Sequence, residues 1–123
     1  MDNITIINSP PCISVYHKGE RMFDLSCAEA NIDIEQDSWY ISRVLVAQSF
    51  RGKGIGSKVL QILLNEIKKA GGKKVIVMPG GYDNNKEQQF NFYLKNGFTH
   101  SIESRDVLVY HYENNENTYT KDK

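Results

Sequence analysis

Six residues, Arg51-Gly52-Lys53-Gly54-Ile55-Gly56, lie between a β-branched run, Val44-Leu45-Val46, and an amphipathic stretch from Lys58 to Ala70. A strand that feeds a glycine-rich turn and then a helix presents bare backbone N–H groups to an anion. The first N–H groups of a helix have no internal partner, and the helix dipole adds partial positive charge there. Glycine removes the Cβ that would keep a ligand away from those groups. The pattern predicts a site for a phosphorylated ligand.

Several loop chemistries share these ingredients. A Walker loop requires a Lys and a Ser or Thr directly after its last glycine. Here Gly56 is followed by Ser57-Lys58, the reverse order. A dinucleotide fingerprint requires Gly-x-Gly-x-x-Gly. Gly52, Gly54 and Gly56 give Gly-x-Gly-x-Gly instead, with Ser57 where the third glycine belongs. A tight turn that binds nothing needs one glycine, so three interleaved with Arg51 and Lys53 exceed what a turn requires.

The elements around the loop follow from periodicity. Ile4 to Ile7 alternates weakly and meets a breaker, Ser9-Pro10-Pro11. Ile13 to His17 and Arg21 to Leu25 flank Lys18-Gly19-Glu20 and predict a hairpin. Ala28 to Asp37 is undecided, with Ile32 and Ile34 alternating as in a strand and Gln36-Asp37-Ser38 resembling a turn. Trp39 to Val46 is rich in aromatic and β-branched residues, and its apolar end predicts a central strand buried on both faces. After the glycines, Ile55, Val59, Ile62, Leu63, Ile67 and Ala70 share one helical face, Lys68 and Lys69 suit the C-terminal dipole, and Gly71-Gly72 ends the helix. Lys73 to Met78 predicts a strand parallel to the Trp39 strand, because a helix joins them. Asn84 and Glu87 predict the start of a second helix that runs to Asn96 and stops at Gly97. Phe98 to Ile102 and Val107 to Tyr112 predict the last strands.

The chain has 123 residues, enough for one domain with a modest core, assigned here to residues 1–113, with the polar residues 114–123 expected to be a disordered tail. Lys+Arg and Asp+Glu both total 15, so the balance gives no sign of a nucleic-acid surface. No apolar run approaches the roughly 18 residues of a membrane span, and the Met1-Asp2-Asn3 start carries no signal pattern. A cytoplasmic location is expected. Cys12 and Cys27 are too few for a disulfide framework and are read as reduced thiols. No His, Cys or carboxylate cluster has metal-ligand spacing, so no metal is expected.

The segment Val46 to Gly56 resembles the signature of the GNAT superfamily of acyl-CoA-dependent N-acyltransferases, whose pattern is Arg/Gln-x-x-Gly-x-Gly/Ala after a strand. Arg51, Gly54 and Gly56 match it. Phe92-Tyr93-Leu94-Lys95-Asn96-Gly97-Phe98 resembles a second family element, on the helix after the next strand. The resemblance covers Trp39 to Phe98. It implies a mixed α/β fold with a central, mostly antiparallel sheet, a parallel strand pair splayed at the acyl-CoA site, and two main helices, the family's N-terminal helices being reduced or absent.

The resemblance also implies chemistry. Acetyl-CoA is the expected donor, with its pyrophosphate on the loop formed by Arg51, Gly52, Lys53, Gly54, Ile55, Gly56 and Ser57. Its pantetheine arm is expected along Val44, Leu45 and Val46, where a backbone N–H would polarise the thioester carbonyl. Tyr93 occupies the general-acid position for the thiolate, and Asn85 is the nearest match to an asparagine found before this helix. Gln89 replaces a small residue of the family. An amine acceptor attacks the thioester directly in a ternary complex.

Trp39-Tyr40-Ile41-Ser42-Arg43 offers no carboxylate as base. Glu29, Glu35 and Asp37 are candidates by proximity, and His17, His100 and His111 by residue type alone. The Ser9-Pro10-Pro11 break leads straight into a hairpin, which predicts an open acceptor side suited to a protein lysine or N-terminus, or to completion by a second subunit. Both a monomer and a homodimer fit the sequence. The alternative function is an acyl-CoA-binding module without turnover.

Overall fold

The computed structural model describes residues 3–19, 25–47, 51–80 and 86–112. Among the described residues seven strands form one sheet: β1 (Ile4–Ser9), β2 (Cys12–Lys18), β3 (Leu25–Asp33), β4 (Ser38–Leu45), β5 (Lys74–Val77), β6 (Thr99–His100) and β7 (Leu108–His111). Their spatial order is β1-β2-β3-β4-β5-β7-β6. Every neighbouring pair is antiparallel except β4 and β5. Helix α1 (Ile55–Lys69) connects that parallel pair, and α2 (Lys86–Lys95) follows β5. Among the described residues no helix precedes β4, and β1 turns into β2 directly at Pro10-Pro11.

The main core lies between α1 and the sheet. Ile13 and Val15 of β2 and Ala28 and Ala30 of β3 are cross-strand neighbours on one face, and they are fully buried with Val59, Leu60, Leu63 and Ile67 of α1. Small alanines on β3 let the helix sit close, and its large aliphatic residues fill the space. Each such buried side chain stabilises by ~2 kcal/mol. The buried stripe of α1 is Gly56, Val59, Leu60, Leu63, Leu64 and Ile67. Two residues expected on that face depart from it: Ile62 is half-buried and Ala70 is exposed as the C-cap. Gly71 adopts φ 88°, and its N–H and that of Gly72 return to the carbonyls of Lys68 and Ile67. This closes the last turn as expected.

The expected second arm of the first hairpin, Arg21 to Leu25, falls largely outside the described residues. Within them, the arm is β3, which begins at Leu25 and absorbs much of the undecided Ala28–Asp37 segment. The turn foreseen at Gln36-Asp37-Ser38 occupies residues 34–37. The expected start of α2 at Asn84 and the tail beyond residue 113 lie outside the described residues.

One expectation is overturned. The apolar end of β4 is central but not buried on both faces: Leu45 is 47% exposed, and Val44 and Val46 are half-buried. The parallel ladder consists of Trp39 with Val75 and Tyr40 with Ile76. Past Tyr40 the two strands part, and the apolar run lines the gap between them.

Candidate functional site

The parting of β4 and β5 opens a cleft of roughly 760 Å³. One wall is the run Ile41 to Val46, and the other is Val77-Met78-Pro79-Gly80 after β5. Helix α2 closes the far side with Gln88, Gln89, Phe92 and Tyr93, and Arg51 stands at one end. The Gly80 N–H donates to the Gln89 carboxamide at 2.9 Å, which ties the loop after β5 to α2. The residue that departs from the family's small side chain thus braces the wall.

At the loop, Gly52 and Gly54 adopt φ 79° and 81°. A Cβ added at either would meet nothing within 4 Å, so both face open space. Gly54 is the N-cap of α1, and among the described residues no side chain caps its N–H groups. Uncapped donors beside open space and two exposed basic residues, Arg51 and Lys53, fit a pyrophosphate. Gly56 has a different job, since a Cβ there would lie 2.9 Å from Val46 Cγ2 and 3.2 Å from Phe92 Cε1. Ser57 accepts from the Asn96 carboxamide at 3.1 Å, and Asn96 also donates to the Phe92 carbonyl at 2.8 Å. The two sequence motifs are therefore joined in space at the start of α1 and the end of α2.

Tyr93 is 6% exposed and sits edge-on to Phe92 and Phe98, with ring centroids 5.1 and 5.2 Å away. Gly97, at φ 100°, and the N–H of Phe98 returning to the Tyr93 carbonyl fold the chain so that Phe98 packs there. Burial pushes the Tyr93 phenol up to about 12, so it is neutral at physiological pH. A buried neutral phenol can act as a hydrogen-bond donor to charge that forms beside it.

Of the residues singled out from sequence, Val44, Leu45, Val46, Arg51 and Tyr93 line the cleft, and Gly52, Lys53, Gly54, Ile55, Gly56 and Ser57 form the turn and first helical turn at its end. Asn85 lies outside the described residues. Glu29, Glu35, Asp37, His17, His100 and His111 are not among the lining residues. Glu29 is occupied: it accepts from Tyr16 at 2.9 Å and Ser14 at 3.5 Å and pairs with Arg43 at 3.3 Å. Among the described residues no group of His, Cys, Asp and Glu is arranged to hold a metal ion, and Cys12 and Cys27 are free thiols. The expectation from sequence did not include Arg43, which lines the cleft beside Val44. Its signal was a cation inside an otherwise apolar strand end.

Comparison with known proteins gives a consistent result. Residues 12–100 match the acetyltransferase (GNAT) domain family. No curated protein sequence matches the chain. Among solved structures, PaiA N-acetyltransferase from Thermoplasma acidophilum in complex with coenzyme A superposes with a TM-score of 0.67 at 18% identity, covering 83% of this chain and 62% of that one. The IAA acetyltransferase from Bacillus cereus gives 0.65 at 20% identity, covering 82% and 78%. The ribosomal-protein-S18-alanine N-acetyltransferase from Escherichia coli gives 0.63 at 12% identity, covering 85% and 71%. The chain thus spans between 62% and 78% of the length of these three structures.

Proposed function

The chain belongs to the acetyltransferase (GNAT) family, and on that premise we propose that it is an N-acetyltransferase moving an acetyl group from acetyl-CoA to a primary amine. The carrying observation is the junction of three features at one cleft. An uncapped, glycine-opened helix start, a strand whose inner edge is released by the splay from β5, and the neutral Tyr93 phenol border the same space. A coenzyme with phosphates at one end and a thioester at the other matches that sequence of chemistries. PaiA, a structural relative, holds coenzyme A, which supports the same ligand here.

In this reading the loop from Arg51 to Ser57 binds pyrophosphate, and the released edge of β4 at Val44 to Val46 pairs with pantetheine. The amine nitrogen attacks the thioester carbonyl carbon. A C–N bond forms, the C–S bond breaks, the electron pair leaves on sulfur, and the amine gives up its proton to water. Tyr93 donates a hydrogen bond to the departing sulfur. Holding both reactants in one cleft supplies much of the rate. The direct β1–β2 turn leaves the acceptor side without an intervening helix, which supports an acceptor as large as a protein lysine or N-terminus. Dependence on acetyl-CoA fits a cytoplasmic location.

A second reading is an acyl-CoA-binding module without turnover. It is favoured by one observation: no Asp, Glu or His is among the described residues lining the cleft. Thiol release from acetyl-CoA, measured with and without amines for wild type and Tyr93→Phe, separates the two. Acceptor-dependent release that falls in Tyr93→Phe with donor affinity kept identifies the enzyme. Donor binding with no release under any acceptor identifies the module.

A further inference from the structure

The sheet carries an irregularity where the cleft begins. Ala30 of β3 stands opposite Ile41, and Glu29 stands opposite Arg43, so Ser42 is an extra residue in β4. Its hydroxyl donates to the Glu29 carbonyl at 3.2 Å. Strand side chains alternate between faces, so an unbroken register would have set Ser42 opposite Glu29 and sent Arg43 to the other face. The bulge re-aims Arg43 onto the face of Glu29 and into the cleft wall.

The guanidinium is held from behind. Its Nε pairs with Glu29 Oε1 at 3.3 Å, and the other carboxylate oxygen accepts from Tyr16 and Ser14 on β2. Glu29 is 20% exposed and Arg43 54%, so the carboxylate is set back and the cation reaches forward. The buried Cys27 thiol is a second neighbour of the guanidinium, which nevertheless stays 54% exposed at the cleft wall and open to a further acceptor. Among the described lining residues the charged side chains are Arg43 and Arg51, both cationic. Arg51 lies at the glycine loop. Arg43 stands three residues back along the strand from Val46, roughly 10 Å.

We propose that Arg43 recognises the acceptor, and that the amine taken by this site carries a carboxylate close to its nucleophilic nitrogen. This rests on the acetyl-transfer reading, which runs the donor from the loop toward Arg43 and so places that residue at the thioester end. A polyamine brings further positive charge against Arg43 and finds no carboxylate among the described lining residues. A carboxylate finds a planar fork of matching geometry. Glu29 is a positioning residue that fixes the fork, with all of its carboxylate already engaged. The chemistry is shared by a free amino acid and by a peptide amine next to an acidic side chain.

The test has a kinetic arm and an equilibrium arm. Thiol release from acetyl-CoA is compared for free amino acids against their α-carboxamides, and for peptides with Glu or Asp beside the amine against Gln or Asn counterparts. Whichever pair carries a preference of tenfold or more in kcat/KM identifies the source. In Arg43→Gln that ratio falls to about one through KM, while calorimetry shows acetyl-CoA affinity retained. Glu29→Gln lowers the ratio partially, and Arg43→Lys restores less than half of it. The equilibrium arm titrates N-acetylated acids and their amides into the protein loaded with CoA, wild type and Arg43→Gln, and needs no turnover. Equal binding of acids and amides by wild type overturns the proposal. A preference in binding without any thiol release leaves it standing and counts against the activity reading instead.

Discussion

Gly56 and Phe92 touch so closely that a Cβ on the glycine would lie 3.2 Å from the ring and 2.9 Å from Val46 on the other side. One residue of the glycine loop is thus a packing position between the end of β4 and α2, while its neighbours face open space. The same three-glycine signature performs two tasks, and they are separable by mutation.

Gly56→Ala is expected to destabilise the fold by about 1–3 kcal/mol through overpacking against Val46 and Phe92. Gly54→Val faces no steric neighbour but must hold φ 81°, at a cost of about 1–2 kcal/mol, with the Cβ and its methyls standing where phosphate would approach. Urea unfolding and acetyl-CoA titration check the pair. The expected pattern is a stability loss led by Gly56→Ala and an affinity loss of at least tenfold in a still-folded Gly54→Val.

Tyr93→Phe is expected to lower kcat by about tenfold to a hundredfold, the range of a lost hydrogen bond to developing charge, with donor affinity unchanged. An equal change in binding and turnover would assign Tyr93 to packing alone.

The raised phenol also sets an alkaline limit. Its folded value of about 12 lies above the ordinary value of 10, so its contribution to stability is complete below pH 10 and is lost as pH rises through about 12. The two-unit separation corresponds to roughly 3 kcal/mol. Burial raises Tyr112 in the same direction. Spectrophotometric titration is expected to show both phenols ionising well above pH 10, and Tyr93→Phe to retain more of its stability above pH 10 than wild type does.

Asn96→Ala removes a carboxamide that donates to Ser57 and Phe92 and accepts from Gln61 at 3.0 Å. A cost of about 1–3 kcal/mol is expected. The loosening should be local to the α1–α2 contact, read as faster amide exchange at the first turn of α1.

Glu29→Ala deprives Arg43, Tyr16 and Ser14 of a common partner. The hydrogen bond to Glu29 is the main reason that the Tyr16 phenol is raised, so its titration should move back down toward 10. A phenol that does not move would place Tyr16 outside this network.

Local chemistry made much of this molecule legible in its sequence. The aromatic and β-branched content of Trp39 to Val46, the aliphatic stripe after Gly56 and the Gly71-Gly72 stop depend on neighbours a few residues away, so α1, β4 and β5 fall where local pattern places them. The open glycine turn before α1 is legible for the same reason, being built from consecutive residues. Tertiary structure alone decided what depends on residues far apart in the chain. The apolar end of β4 reads as buried on both faces, yet the ladder with β5 stops at Tyr40 and Ile76 and leaves that run as a cleft wall. Arg43 reads as one more strand residue until a bulge opposite Glu29, a matter of register between strands, turns it onto the other face. The alternation of a single strand carries no record of where its partner gains or loses a residue. The sequence therefore specified a glycine-opened turn and its helix. The pairing of seven strands determined where the cleft opens and which charge stands within it.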